Sequence, residues 1–118
     1  MASRMNRIST HVLDMVHGKP ARDVPVRLER QDGDGHWRLL SSARTDQDGR
    51  CPQLLPDGEN PSAGVYRLVF DTGSYYTQQK IDALYPSVEV TFRVRDAESQ
   101  FHIPLLLSPN GYTTYRGS

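Results

Sequence analysis

The 118-residue sequence contains a single cysteine, Cys51, so no disulfide can form within one chain. It also lacks an excess of charge, because 14 basic residues balance 14 acidic ones. A neutral chain has no general electrostatic attraction to nucleic acid or to an anionic membrane surface. We therefore expect a protein of a reducing compartment, the cytoplasm, that binds neither nucleic acid nor membrane.

Long apolar runs are missing as well. No stretch approaches the roughly 20 apolar residues that a membrane-spanning helix needs. The basic N-terminal residues have no apolar run behind them, so they do not match a secretory signal. The length fits one domain, and we expect a single domain over residues 1–118, with residues 1–7 flexible.

What the chain does contain is a series of short β-like runs separated by clusters of turn residues. Alternating apolar and polar residues predict strands, and Asp-Gly pairs favour tight turns between them. Residues 74–82 have a helical pattern, with Ser74 as the expected N-cap. The spacing predicts an all-β protein, a two-sheet sandwich of about eight strands with one short helix. The predicted strands are 8–14, 24–30, 36–45, 50–55, 65–71, 87–96, 101–107 and 112–115.

The strand predicted over residues 101–107 has two different faces. Its odd-numbered residues are all apolar and suit the core. The opposite face is too apolar for an open surface, although it begins with a histidine: it carries His102, Pro104 and Leu106. The first strand places His11 beside Leu13 in the same way. We therefore expect both histidines on outer faces that another subunit covers.

Histidine and arginine are the side chains on which catalysis could depend. Histidine titrates near neutral pH, so His11 and His102 are candidates for a general acid or base. Ordinary hydrogen bonds at an interface are the alternative. Arg50 and Arg116 could each stabilise an oxyanion or hold a substrate carbonyl, or could instead be solvated.

Patterns typical of other chemistries are absent from the sequence. No two histidines have the spacing of metal ligands on one element, and Cys51 has no second cysteine to act with. Neither a Gly-x-Ser-x-Gly motif, a phosphate-binding loop nor a dinucleotide fingerprint is present. We therefore expect no metal and no cofactor.

The chain ends in Tyr115-Arg116-Gly117-Ser118, directly after an alternating stretch that predicts a strand. An ordered end would bring a phenol, a guanidinium, a hydroxyl and a carboxylate into a small volume, where they could recognise a small polar molecule. Gly117 would permit a backbone turn that a larger residue resists. The alternative is an edge strand that simply stops.

Several segments of the sequence resemble the transthyretin family, and together they cover nearly the whole chain. They are residues 8–14 with the following Gly-Lys-Pro-Ala, residues 45–50, residues 101–109 and the final Tyr-Arg-Gly-Ser. This ending, together with His11, Arg50 and His102, resembles the enzyme branch of the family, which hydrolyses 5-hydroxyisourate in urate degradation. The hormone-carrier branch lacks that ending and those histidines.

The resemblance implies a prealbumin-like sandwich that assembles as a homotetramer, a dimer of dimers with active sites in a channel between the dimers. It implies a metal-independent opening of the six-membered ring to a 4-carboxy-5-ureidoimidazoline. The catalytic residues it implies are His11, Arg50, His102 and Ser118. The substrate-binding residues it implies are His11, Arg50, Tyr115, Arg116 and Gly117. Which histidine is the general base stays open, and the alternative function is a small-ligand carrier without catalysis.

Overall fold

The structure is a computed structural model, and it describes residues 6–96 and 98–118. In this part of the chain nine strands form two sheets, and the one helix, α1 (Thr72–Gln78), is too short to cross a membrane. The strands are β1 (Arg7–Asp14), β2 (Lys19–Pro20), β3 (Pro25–Gln31), β4 (Trp37–Arg44), β5 (Arg50–Cys51), β6 (Gly64–Phe70), β7 (Val88–Val94), β8 (Gln100–Ser108) and β9 (Gly111–Thr114). The predicted all-β sandwich with one short helix is confirmed, and two of its strands have only two residues.

The first sheet joins the two ends of the chain. Its strand order is β2-β1-β8-β9, and the short β5 also pairs with β1. The pairing of β1 with β8 is parallel and places Ser9 beside His102. The second sheet, in the order β4-β3-β6-β7, is antiparallel throughout and closes the other side of the core. Residues near both ends of the sequence therefore meet on one face of the first sheet.

The core confirms the face that was predicted for residues 101–107. Phe101, Ile103, Leu105 and Leu107 are each at most 5% exposed, and the side chains of β3 that face them are equally buried. His102 lies on the opposite face and is half-buried. The alternation along β8 thus sets the histidine outside the core, on a surface where it can meet a ligand.

The helix differs from its prediction at both ends. It begins at Thr72 rather than Ser74, because the Asp71 carboxylate accepts the Ser74 N–H at 3.1 Å and caps the first turn. It ends at Gln78, and Lys80 already has a φ of 59°, outside the helical range. Ser74 is therefore a helical residue and not the cap.

The predicted flexible segment, residues 1–7, falls mostly outside the described residues. Of its last two residues, Asn6 precedes the first strand and Arg7 begins β1, paired with Gln100. The ordered part of β1 thus starts one residue earlier than the pattern indicated.

Pro104 is buried within a single chain, which corrects the expectation that another subunit covers it. Thr114 Oγ1 donates to the Pro104 carbonyl at 2.7 Å. Proline has no N–H, so Pro104 cannot donate the backbone hydrogen bond that would continue the pairing with the last strand. β9 therefore ends at Thr114. The same register resumes at Gly117, whose N–H donates to the His102 carbonyl at 2.7 Å. The end of the chain therefore lies against β8.

Candidate active site

A groove of about 400 Å³ opens where β1, β5, β8 and the end of the chain meet. It combines titratable groups from both ends of the sequence, which the parallel pairing of β1 with β8 brings together. Residues that line it include Arg7, Ser9, Arg50, His102, Gly117 and Ser118. Ser118 is the last residue of the 118-residue sequence.

His102 lies in the groove, and a hydrogen bond holds one edge of its ring. Its Nδ1 lies 2.9 Å from Ser9 Oγ. Burial, and then the positive charges of Arg50 and His11, lower the pKa of His102 from its ordinary value of 6.5. The shift favours the neutral imidazole, which is able to accept a proton.

Position 117 has no room for a side chain, because the imidazole of His102 packs directly against the Gly117 backbone. A Cβ on Gly117 would lie only 2.7 Å from Cδ2 of that ring. The φ of Gly117 lies outside the left-handed region, so the expected need for an unusual backbone turn is wrong. Close approach, rather than backbone freedom, requires glycine here.

His11 lies at the edge of this arrangement, with a different orientation. Its Nε2 is 2.8 Å from the Asp48 carbonyl oxygen, which can only accept, so Nε2 carries the proton and donates. The ring nitrogen that this hydrogen bond leaves open is therefore Nδ1. His11 pairs with Arg50 across β1 and β5, and its charge acts on His102.

Arg50 is held at the groove by a tight turn. Oδ1 of Asp46 accepts the N–H groups of Asp48 and Arg50, each at 2.9 Å. Gly49 follows the turn with a φ of 75°, and a Cβ there would lie 2.4 Å from the Val12 carbonyl oxygen. Within residues 6–96 and 98–118 the Arg50 guanidinium has no hydrogen-bond or ion-pair partner. It is therefore available to a ligand.

Arg116 and Tyr115 lie outside the groove of a single chain. The Arg116 guanidinium stacks on the Phe101 ring at 4.4 Å and contacts Glu98 Oε2 at 3.0 Å. Tyr115 is 54% exposed, and both residues border a second slot of about 190 Å³. One chain thus brings together a part of the predicted set, namely His11, Arg50, His102, Gly117 and Ser118. The roles of all these residues stay predictions.

Two further features of the groove have no signal in the sequence. Ser9 resembles any strand serine until the register places it beside a histidine 93 residues away. Arg7 lines the groove because β1 starts early.

Cys51, next to Arg50, is 3% exposed, and burial raises the pKa of its thiol to about 11. The protonated thiol is therefore a core group rather than a nucleophile.

The chain belongs to the HIUase/Transthyretin family, whose model matches residues 8–117. Among curated relatives, the 5-hydroxyisourate hydrolase of Salmonella typhi is 42% identical over all of this chain and 85% of that protein. The 5-hydroxyisourate hydrolase of Mus musculus is 44% identical over the whole length of both chains.

Solved structures of both branches of the family share the fold. The 5-hydroxyisourate hydrolase of Klebsiella pneumoniae gives a TM-score of 0.83 at 32% identity, covering 97% of this chain and 100% of that one. Sea bream transthyretin in complex with thyroxine gives 0.85 at 34% identity, covering 92% of each chain. Backbone similarity alone therefore does not distinguish a hydrolase from a carrier.

Proposed function

We propose that this protein is a 5-hydroxyisourate hydrolase, which opens the six-membered ring of its substrate with water. The observation that carries the proposal is the groove in which the imidazole of His102, the guanidinium of Arg50 and the last residue, Ser118, meet. Hydrolysis of a cyclic amide needs a base for water and a cation for the developing oxyanion. Curated relatives at 40–44% identity carry the name of this hydrolase.

In the proposed mechanism His102 is the general base, and His11 is not. Nε2 of His102 takes a proton from water, and the resulting hydroxide attacks the ring carbonyl beside N1. Arg50 stabilises the tetrahedral oxyanion and orients the substrate. The carbon–nitrogen bond then breaks, and the protonated His102 returns its proton to the leaving nitrogen. The product is a 4-carboxy-5-ureidoimidazoline, and in this scheme no metal or cofactor takes part.

Other residues of the predicted set contact either an imidazole or the substrate in this proposal. The carboxylate of Ser118 orients an imidazole and favours its protonated form during turnover. His11, with Nε2 donating to Asp48, offers Nδ1 to the substrate. Tyr115 and Arg116 contact the substrate only where the assembly of subunits brings them to a groove, since within one chain they lie outside it.

The alternative is a carrier of small apolar ligands with the same fold, as the sea bream transthyretin that binds thyroxine would suggest. The chemistry of the groove argues against it. A carrier of apolar ligands gains nothing from a half-buried imidazole beside a guanidinium and a carboxylate, because burying polar groups without partners is costly.

A direct assay tests the proposed function. Urate oxidase converts urate into 5-hydroxyisourate, and the decay of the absorbance of this product is followed with and without the protein. We expect the protein at catalytic concentration to accelerate the decay many-fold. An unchanged decay, together with tight binding of an apolar ligand such as thyroxine, would support the carrier instead.

We also propose that the protein is a homotetramer, a dimer of dimers. The outer face that carries the histidines also presents Leu13 and Leu106, which are only partly buried in one chain. Closed symmetry is the usual form of soluble homo-oligomers. Light scattering at micromolar concentration should report a mass of about four chains. A monomer that hydrolyses the substrate at full rate would contradict the tetramer without affecting the proposed activity.

A cytoplasmic location is proposed as well. The single cysteine, Cys51, is buried with a protonated thiol, which agrees with a protein that uses no disulfides. Fractionation of cells of the source organism, with an antibody against this chain, would test the location.

Replacing Arg50 with lysine should impair hydrolysis almost as strongly as replacing it with alanine. Lysine keeps the positive charge but loses the planar fork that can hold a carbonyl and an oxyanion together. We expect kcat to fall by about 10² in both variants, as after loss of an oxyanion donor. Arg22→Lys, at an exposed side chain away from the groove, is the matched control. Full activity in Arg50→Lys would reduce the role of Arg50 to that of a general positive charge.

A further inference from the structure

We propose that Ser9 is a positioning residue whose hydroxyl holds His102 in the tautomer with the proton on Nδ1, so that Nε2 is free to accept a proton in the groove. The inference rests on the proposed function, because it concerns the base of that reaction. Ser9 contributes no group to the substrate in this scheme and acts only through the histidine.

The contact between the two side chains is built into the sheet. Ser9 and His102 are register partners in the parallel pairing of β1 with β8. Ser9 Oγ lies 2.9 Å from Nδ1 of His102, and Ser9 is only 7% exposed. Water therefore does not readily replace the hydroxyl at this nitrogen.

A second acceptor near the same hydroxyl allows the hydrogen bond to run from Nδ1 to Oγ. Ser9 Oγ also lies 3.4 Å from the carbonyl oxygen of Phe101, which can only accept. The hydroxyl has one proton. When it is donated to Phe101, Oγ must accept the hydrogen bond from Nδ1–H, and the proton of the neutral ring is then on Nδ1.

The other edge of the ring faces the reactive part of the groove. Cδ2, the neighbour of Nε2, lies against Gly117 next to the C-terminal residue. Of the charged groups in the groove, the cationic Arg50 favours a lone pair on Nε2, whereas the carboxylate of Ser118 would favour an N–H donor there. The Ser9 contact and the charge of Arg50 thus favour the same tautomer.

Loss of the hydroxyl should change the tautomer without closing the groove. In Ser9→Ala the ring loses its acceptor at Nδ1, and the two neutral tautomers become mixed. We expect kcat to fall about tenfold, the effect of one hydrogen bond, while KM and the melting temperature change little. Ser9→Thr retains a hydroxyl on a strand-compatible side chain and should restore both the tautomer and kcat.

The experiment records nitrogen NMR spectra of the full-length protein labelled with ¹⁵N-histidine at neutral pH, with His102 assigned by comparison with His102→Asn. The wild type and Ser9→Thr should show the Nδ1–H form, whereas Ser9→Ala should show a mixture. Thr10→Val is the matched control, because Thr10 Oγ1 donates to the Ile103 carbonyl at 2.6 Å across the same two strands, in a hydrogen bond that does not involve the imidazole. It should lower stability and leave the tautomer of His102 unchanged.

The outcomes separate this inference from the proposed function. An Nε2–H tautomer in the wild type, or an unchanged tautomer in Ser9→Ala, overturns the role of Ser9 whether or not the protein hydrolyses 5-hydroxyisourate. A wild type without hydrolase activity refutes the proposed function, and the spectra still report the contact between Ser9 and His102.

Discussion

Removing Gly117 and Ser118 should abolish hydrolysis of 5-hydroxyisourate and leave the sandwich folded. Both residues line the groove, and the deletion takes away the carboxylate together with the glycine that lies against His102. The new carboxylate would belong to Arg116, which does not line the groove. We expect kcat to fall by about 10² or more, since an oriented charge is lost from the site.

Stability should change little in this deletion, because Ser118 is exposed and the main loss is one backbone hydrogen bond from Gly117. Thermal unfolding monitored by circular dichroism checks the fold, and the urate oxidase assay checks the activity. Ser118→Ala retains the carboxylate and is the matched control, with near-normal activity expected. Adding a single glycine after Ser118 moves the carboxylate and should be as harmful as the deletion. Normal turnover in the deletion variant would mean that the chain end is only an edge strand.

Replacing His102 with asparagine should cost about 10² to 10⁴ in kcat, the usual contribution of a general base. The asparagine amide can still hydrogen-bond to Ser9 but has no basic nitrogen at the position of Nε2. His36→Asn, at an exposed position in the turn between β3 and β4, is the matched control and should keep full activity. Loss of the folded state in His102→Asn would point to a structural histidine, whereas near-normal turnover would transfer the role of base to His11.

The pH dependence gives the same assignment a second test. Because the pKa of His102 is lowered, the base is lost only when the pH falls through a value below 6.5. The acid limb of kcat/KM should therefore have its midpoint below pH 6.5 in the wild type. It should be absent from the residual activity of His102→Asn.

The sequence predicted those features of the fold that depend on local alternation. The apolar odd residues of β8 indicated its core face, and the same parity correctly set His102 outside the core. The helix boundary was missed because two residues, Asp71 and Ser74, can both cap, and only the three-dimensional arrangement shows that Asp71 accepts the hydrogen bond.

The site was less predictable, because it depends on contacts between distant residues. Ser9 becomes notable only when the strand register is known. Glycine at position 117 was attributed to a backbone turn, because the neighbouring sequence does not indicate that a distant histidine ring packs against this position. Pro104 was expected to need another subunit, although the chain's own end already covers it. The family resemblance named residues of the groove, but it did not indicate that Arg116 stacks on Phe101 within one chain.

The parallel pairing of β1 with β8 has a consequence for biosynthesis. Ser9 and His102 are 93 positions apart, and the carboxylate in the groove does not exist until the last peptide bond has been made and the chain has been released. Pairings between such distant segments form late, because the chain between them must first become ordered. In the proposed mechanism a ribosome-bound chain would therefore lack a complete site, whatever part of the sandwich has already folded. Under that mechanism activity would begin only after termination of translation, and a truncated translation product would be inactive from the start.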